Sequence, residues 1–363
     1  MALILKRPWS LLAARCALAG FAVVLCALAG CTANRVTADP SYFPAPPGTA
    51  HAVHLKSFNS LTDLVSRRGS WVEIFRGRPA SPFVKTPAGI AYRSGHLYIC
   101  DTGFNVVHDW DLATGKARHV KPPGEVSFDH PVDVASDEVG TLYIADSGRG
   151  EILAIDSRHD SILFMRPPGG ESFKPVAVAV HDGKLYSTNI ETHRVDVFST
   201  ENGSHIGSFG RLGSDSGNFY YPMGITVDTG GRIYVADMMN SRVQMFSPQH
   251  AFELSMGGPG NRYGDMGKPK HLDVGPDNTI FVADSEFAHI HLFSRDGSLL
   301  MFLGGPDSKP GGTPLPLGVA VAPSLPDNLV TLVPPDFDPH YYLFVTNTVG
   351  PRRINLFAMG LSR

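Results

Sequence analysis

From residue 87 onward, apolar and polar positions alternate in short runs with a period of two, and each run is broken by Gly, Asp, Asn or Pro. That pattern predicts short strands joined by tight turns. The clearest stretch is 222–247, P-M-G-I-T-V-D-T-G-G-R-I-Y-V-A-D-M-M-N-S-R-V-Q-M-F-S. It predicts a strand over Met223–Val227, a Gly-rich turn over Asp228–Arg232, a β-branched and aromatic strand over Ile233–Ala236 stopped by Asp237, and a third strand over Val243–Phe246. Three such strands cannot bury both faces alone, so the pattern demands neighbours of the same kind.

The chain supplies them. Segments opening at Pro87, Pro131, Pro175, Pro222, Pro269 and Pro316 share the layout, at intervals of 44, 44, 47, 47 and 47 residues. A fourth strand is predicted after each of the first five copies, over Ala117–Val120, Ser161–Met165, His205–Phe209, Phe252–Met256 and Leu299–Leu303. The sixth copy lacks one, and Trp71–Phe75 followed by Arg76-Gly77 is expected to return to it and close a ring. Six units of about 40–50 residues and four strands lie in the propeller range, and closure removes most of the exposed sheet edges that template aggregation. The sixth copy also departs in spacing. Phe281 to Phe344 is 63 residues against 47 for Tyr234 to Phe281, so roughly sixteen residues are inserted over 323–341, as a surface loop or a partner-binding loop.

The pattern P-x-G-I-x-V…G-x-I-Y-V-A-D-x-x-N-x-R-V-Q-x-F within 222–246 resembles the NHL repeat, and the likeness extends over 71–357, weakest in the last copy. The resemblance implies an all-β, six-bladed β-propeller. It does not imply one function, since NHL-type propellers include protein-binding and RNA-binding modules and a zinc-dependent amidating lyase.

The first thirty residues have another character. Lys6, Arg7 and Arg15 precede an apolar, small-residue run that ends in Leu28-Ala29-Gly30-Cys31, the layout of an exported precursor. The last four resemble the bacterial lipobox, which implies lipidation at Cys31, with Thr32 leaning towards the outer membrane. Residues 32–50 are Pro-rich and are expected to form a semi-extended tether, and His51–Arg68 an extension packed on the domain. The propeller is then expected over 69–363. Of four cysteines, only Cys100 remains free in the mature chain; its strand position predicts a buried, inert thiol. Without the leader, 28 basic residues stand against 34 acidic ones, a balance of −6. Export and that balance argue against nucleic acid as a partner.

Candidate chemistry is sparse. Each second strand ends in Asp or Asn: Asp101, Asp146, Asn189, Asp237, Asp284 and Asn347. A ring of carboxylates invites a metal, but an Asx side chain that accepts backbone N–H groups of the next turn explains it better. Two places after each leading Pro stand Gly89, Asp133, Ala177, Gly224, His271 and Gly318, expected at the mouth of the central channel. Asp133 and His271 lie in opposite copies, with Lys270 adjacent. As a zinc or calcium site this needs a third ligand, for example His193 or His289. No G-x-S-x-G, H-E-x-x-H or P-loop is present. The loops from second to third and from fourth to first strand carry recognition-type residues: Phe104, Arg149, His193, Met238, Met239, Tyr263, Phe287 and Arg353, with Tyr220, Tyr221 and Arg262 nearby. Arg194, Arg242 and Arg352 are taken as one repeat position with a structural role. The expectation is a lipid-anchored envelope propeller that binds a protein or small ligand on its loop face. The alternative is a metal-dependent lyase or hydrolase at the channel mouth.

Overall fold

The structure, a computed structural model, describes residues 41–45, 48–65, 82–307 and 309–363. Among these, strands form six antiparallel sheets, five of four strands and one of five. The innermost strands are Pro87–Arg93, Pro131–Ser136, Pro175–His181, Pro222–Val227, Pro269–Val274 and Pro316–Ala322. Each lies against the inner strand of the blades before and after it, and the sixth returns to the first, so the ring is closed. The fold is an all-β, six-bladed propeller.

The local reasons are repetitive. The second strands His96–Asp101, Leu142–Asp146, Lys184–Asn189, Ile233–Asp237, Ile280–Asp284 and Phe337–Asn347 are almost continuously buried. Their β-branched and aromatic residues pack on both faces, so neighbouring blades share one core. Six hydrophobic wedges result, one between each pair of blades. Between blades four and five, Tyr234 and Val243 meet Leu272 and Ile280. Between six and one, Phe344 and Leu356 meet Ile99 and Trp110. Each fully buried side chain of this size contributes roughly 2–3 kcal/mol. Cys100 is buried in the wedge between blades one and two, as expected, and burial holds its thiol well above the ordinary value.

Ring closure differs from the expectation in its actor. Trp71–Phe75 lies outside the described residues, and the place of the fourth strand in blade six is held by Ala52–Phe58, antiparallel to Ile354–Ser362. A short fifth strand, Ser41–Phe43, pairs outside it, so part of the expected Pro-rich tether is sheet. The reason is that fourth strands carry no repeat signature in the sequence, as Lys116–His119 illustrates. Several runs near the N-terminus therefore fit the role equally well.

The insertion in blade six is mostly structural. Its short helix Asp327–Val330 sends Leu329 into the wedge between blades six and one, beside Leu325, Phe337 and Trp110. Asn328 Nδ2 donates to Leu112 O at 3.0 Å, and Tyr92 Oη to Ser324 O at 2.6 Å. The remainder lengthens Phe337–Asn347 into an eleven-residue strand.

Candidate functional site

The buried Asx residues build the loop face. Asp146 accepts the N–H groups of Asp129, His130 and Arg149 at 2.8, 2.8 and 3.1 Å. Asp101 accepts those of Lys85, Thr86 and Gly103 at 2.6, 3.0 and 2.9 Å. Asp284 accepts Gly267, Lys268, Glu286 and Phe287 at 2.7, 3.0, 3.0 and 3.2 Å. One carboxylate thus ties the loop entering a blade to the turn between its second and third strands. This is the turn-capping role expected from the sequence; it fails at Asn347, whose buried side-chain oxygen and nitrogen find no hydrogen-bond partner. Burial pushes the Asp284 carboxyl up, but His291 and these N–H groups outweigh it and hold it at about 2.

On the propeller axis, Asp133 and His271 meet. His271 Nε2 lies 3.3 Å from Asp133 Oδ1, while Asp133 Oδ2 accepts Val178 N–H at 2.9 Å and His271 Nδ1 faces Val319 N at 3.4 Å. A Cβ on Gly224 would lie 2.7 Å from Lys270 O, so the small residues at this repeat position let the inner strands converge. Burial alone would lower the His271 pKa. The charge and hydrogen bond of Asp133, with the charge of Asp273, reverse this and leave it raised. The two side chains satisfy one another instead of opening towards a ligand. Among the described residues, no three His, Cys, Asp or Glu side chains converge as metal ligands. Lys270 turns away from the pair, and its Nζ lies 3.0 Å from Met238 Sδ. Burial, then the charge of Lys268, lowers its pKa.

That contact extends a continuous surface across blades three to five. His193 Nδ1 accepts Tyr221 N–H at 3.1 Å, and its ring packs on Tyr220 and Tyr221 at 5.7 and 5.0 Å. Met239 N–H donates to Tyr220 O at 3.0 Å, and Met238 N–H to Tyr221 O at 3.2 Å. Met239 is 46% exposed. Tyr221 has φ +57°, a left-handed conformation that costs a residue with a side chain about 1–2 kcal/mol. The residue before a proline ordinarily avoids helical backbone as well.

The other candidates separate. Tyr263 and Phe287 line a cavity of about 290 Å³ on blade five with Arg262, His289, His291 and Phe302. Phe104 packs edge-on against Phe83 at 5.3 Å, with Lys85 Nζ 5.2 Å from its centroid. Arg149 is held by Glu151 at 3.2 Å beside Phe164. Arg353, and not Arg352, occupies the repeat position of Arg194 and Arg242. Asn347 N–H donates to Arg353 O, and the Arg353 guanidinium donates to Thr348 O within its own turn. His291 and Phe302 escaped sequence reasoning. The available signal was a pair of His at positions where blade four carries Arg242 and Gln244.

Fold and loop chemistry together define a six-bladed β-propeller, and residues 219–246 match the NHL repeat. Among solved structures, the chain is similar to a streptogramin B lyase at 12% identity, covering 76% of this chain and 94% of that one with a TM-score of 0.53. It is also similar to virginiamycin B lyase from Staphylococcus aureus at 13% identity, covering 77% and 95% with a TM-score of 0.52. A catalytically inactive variant of that enzyme with quinupristin matches at 13% identity over 76% and 95%, TM-score 0.52. Likeness at this identity is a likeness of fold.

Proposed function

We propose that the protein is a binding propeller whose loop face engages a protein or small ligand of the bacterial envelope. One observation carries this reading: the continuous surface of His193, Tyr220, Tyr221, Met238, Met239 and Lys270, built around a left-handed Tyr221. Aromatic and Met side chains are favoured at binding hot spots, and backbone strain gathers at functional sites. A photo-cross-linking residue at Met239 is expected to capture a partner that the same residue at Val139, in the turn between the first two strands of blade two, does not. Equal capture at both positions, or capture unchanged by Tyr220→Glu, would overturn it.

Under this proposal Cys31 carries lipid and holds the propeller at a membrane, the outer membrane in preference to the inner. Cys31→Ser is expected to release the protein into the soluble fraction; unchanged membrane association would refute the anchor. The competing reading, a metal-dependent lyase or hydrolase, draws on the convergence of Asp133 and His271. Stoichiometric zinc or calcium in purified protein, lost on Asp133→Asn, would favour it over a pure binding role.

A further inference from the structure

In blade four, side chains bridge the gap that forms the cavity in blade five. Arg242 Nη2 donates to Asp215 O and Asn218 O at 2.9 and 3.1 Å. Gln244 Nε2 donates to Asn218 O at 2.8 Å, and Gln244 Oε1 accepts Gly217 N–H at 2.8 Å. These four bonds fasten the loop entering the blade to its third strand. In blade five the same two positions hold His289 and His291. An imidazole is too short to span that distance, and the space between the loop and the strand stays open.

The walls of the opening are aromatic. Phe302 pairs across the strands with His291, at 4.9 Å between ring centroids, and packs 5.4 Å from His289. Tyr263 stands over Phe302, stacked at 6.2 Å, yet remains 91% exposed. Phe287 lies 6.3 Å from His291. His291 is buried, its side chain 1% exposed, and its Nδ1 has no hydrogen-bond partner in the protein. Its Nε2 sits 3.4 Å from Asp284 Oδ2. A proton on Nε2, facing that carboxylate, leaves Nδ1 as an acceptor. An unpartnered buried polar group costs about 1–3 kcal/mol, which a ligand donor would recover.

We infer that this blade-five groove is a binding site for a planar aromatic or heteroaromatic ring carrying an N–H or O–H donor, packed against Tyr263, Phe287 and Phe302 and hydrogen-bonded to His291. The inference deepens the loop-face reading and rests on it, since Tyr263 and Phe287 belong to that face. The volume, near the lower end for small-molecule sites, suits one or two fused rings. Arg262, whose Nε lies 3.4 Å from Asp265 Oδ2, sits at the rim with its charge matched, so the groove favours a neutral ring over an ion.

The test uses the full chain and three probes: indole, 1-methylindole and naphthalene, followed by calorimetry and ligand-observed NMR. Indole is expected to bind at least five-fold more tightly than 1-methylindole, which lacks the donor, and than naphthalene. His289→Arg with His291→Gln installs the blade-four residues and is expected to weaken indole at least ten-fold. Tyr263→Ala, at an exposed position, is expected to weaken all three probes and serves if the double variant fails to fold. Equal binding of indole and 1-methylindole, undiminished binding by the double variant, or binding of none of the probes would overturn the inference. Cross-linking at Met239 in the double variant separates the two readings. Capture that persists while no ring binds sinks the groove alone, whereas indole bound as described with no capture at Met239 sinks the partner surface.

Discussion

Blades four and five share an interval of 47 residues, the same strand layout and the same Asp at the end of the second strand, yet their loops are held differently. In blade four Asp237 accepts Tyr220 N–H and gathers three side chains: Asn240, Arg242 and Gln244, at 2.7, 2.8 and 3.1 Å. In blade five Asp284 accepts four backbone N–H groups, and the side chains that would complete the clasp are histidines. A third difference lies on the axis, where Gly224 is replaced by His271. The comparison teaches that a propeller repeat tolerates change at its outer third strand because the Asx cap alone can hold the loop. Three substitutions to histidine then turn a closed structural unit into one with an axial ion pair and an open groove.

The largest test of that contrast is removal of the blade-five cap. Asp284→Ala would leave four part-buried N–H donors without their acceptor and is expected to destabilise the protein by about 3 kcal/mol. Hydrogen exchange should show protection lost first over 258–268. If blade five unfolded no more readily than blade four after the matching Asp237→Ala, the assignment of the clasp would be wrong.

Acid should reach the same site. The Asp284 carboxyl is held at about 2, below the ordinary value near 3.9 of an unfolded chain. Its contribution is therefore complete above about pH 4 and is lost as pH falls towards 2, a change of roughly 2 kcal/mol. Urea unfolding between pH 5 and 2 should show this slope, and Asp284→Asn should flatten it.

A smaller effect is expected on opening blade four. Gln244→His breaks two of the four bridging bonds, a loss of about 1–2 kcal/mol. It should also raise the exchange rate of the Gly217 amide; an unchanged rate would mean that the bridge is not what closes this blade.

The smallest concerns the axis. The raised His271 pKa means that the Asp133 pairing stabilises fully below the unfolded histidine value near 6.5 and fades as pH rises through the folded one. Asp133→Asn should bring the His271 titration, followed by NMR, down to or below that value, with a stability loss near 1 kcal/mol at pH 6.

Much of this architecture is legible in the chain because each second strand must be apolar on both faces and end in an Asx cap. Ile233–Asp237 and Ile280–Asp284 show both features, and counting from the leading prolines brings Asp133 and His271 together. The closing strand Ala52–Phe58 was illegible because its A-V-H-L-K-S-F run carries neither the leading Pro nor the terminal Asx that mark the repeats, although Ala52, Val53, His54 and Phe58 are buried. The groove was hidden for a different reason. It needs Tyr263 from an inter-blade loop, Phe302 from a fourth strand and His291 from a third, brought together by register and not by spacing.

Closure by Ala52–Phe58 has a consequence in time. Its partner strand begins at Ile354, about 300 residues later. At a synthesis rate of roughly 5–20 residues per second, some 15–60 s separate the making of the two. Through that interval Ala52–Phe58 has only the three-residue strand Ser41–Phe43 to pair with, and its inner edge waits unpaired while the ring stands open. The last nine-residue strand, Ile354–Ser362, therefore acts as a latch. Whatever handles the chain before the latch shuts must shield the Ala52–Phe58 edge, and a chain cut short before Ile354 would leave open the edge that Ile354–Ser362 covers.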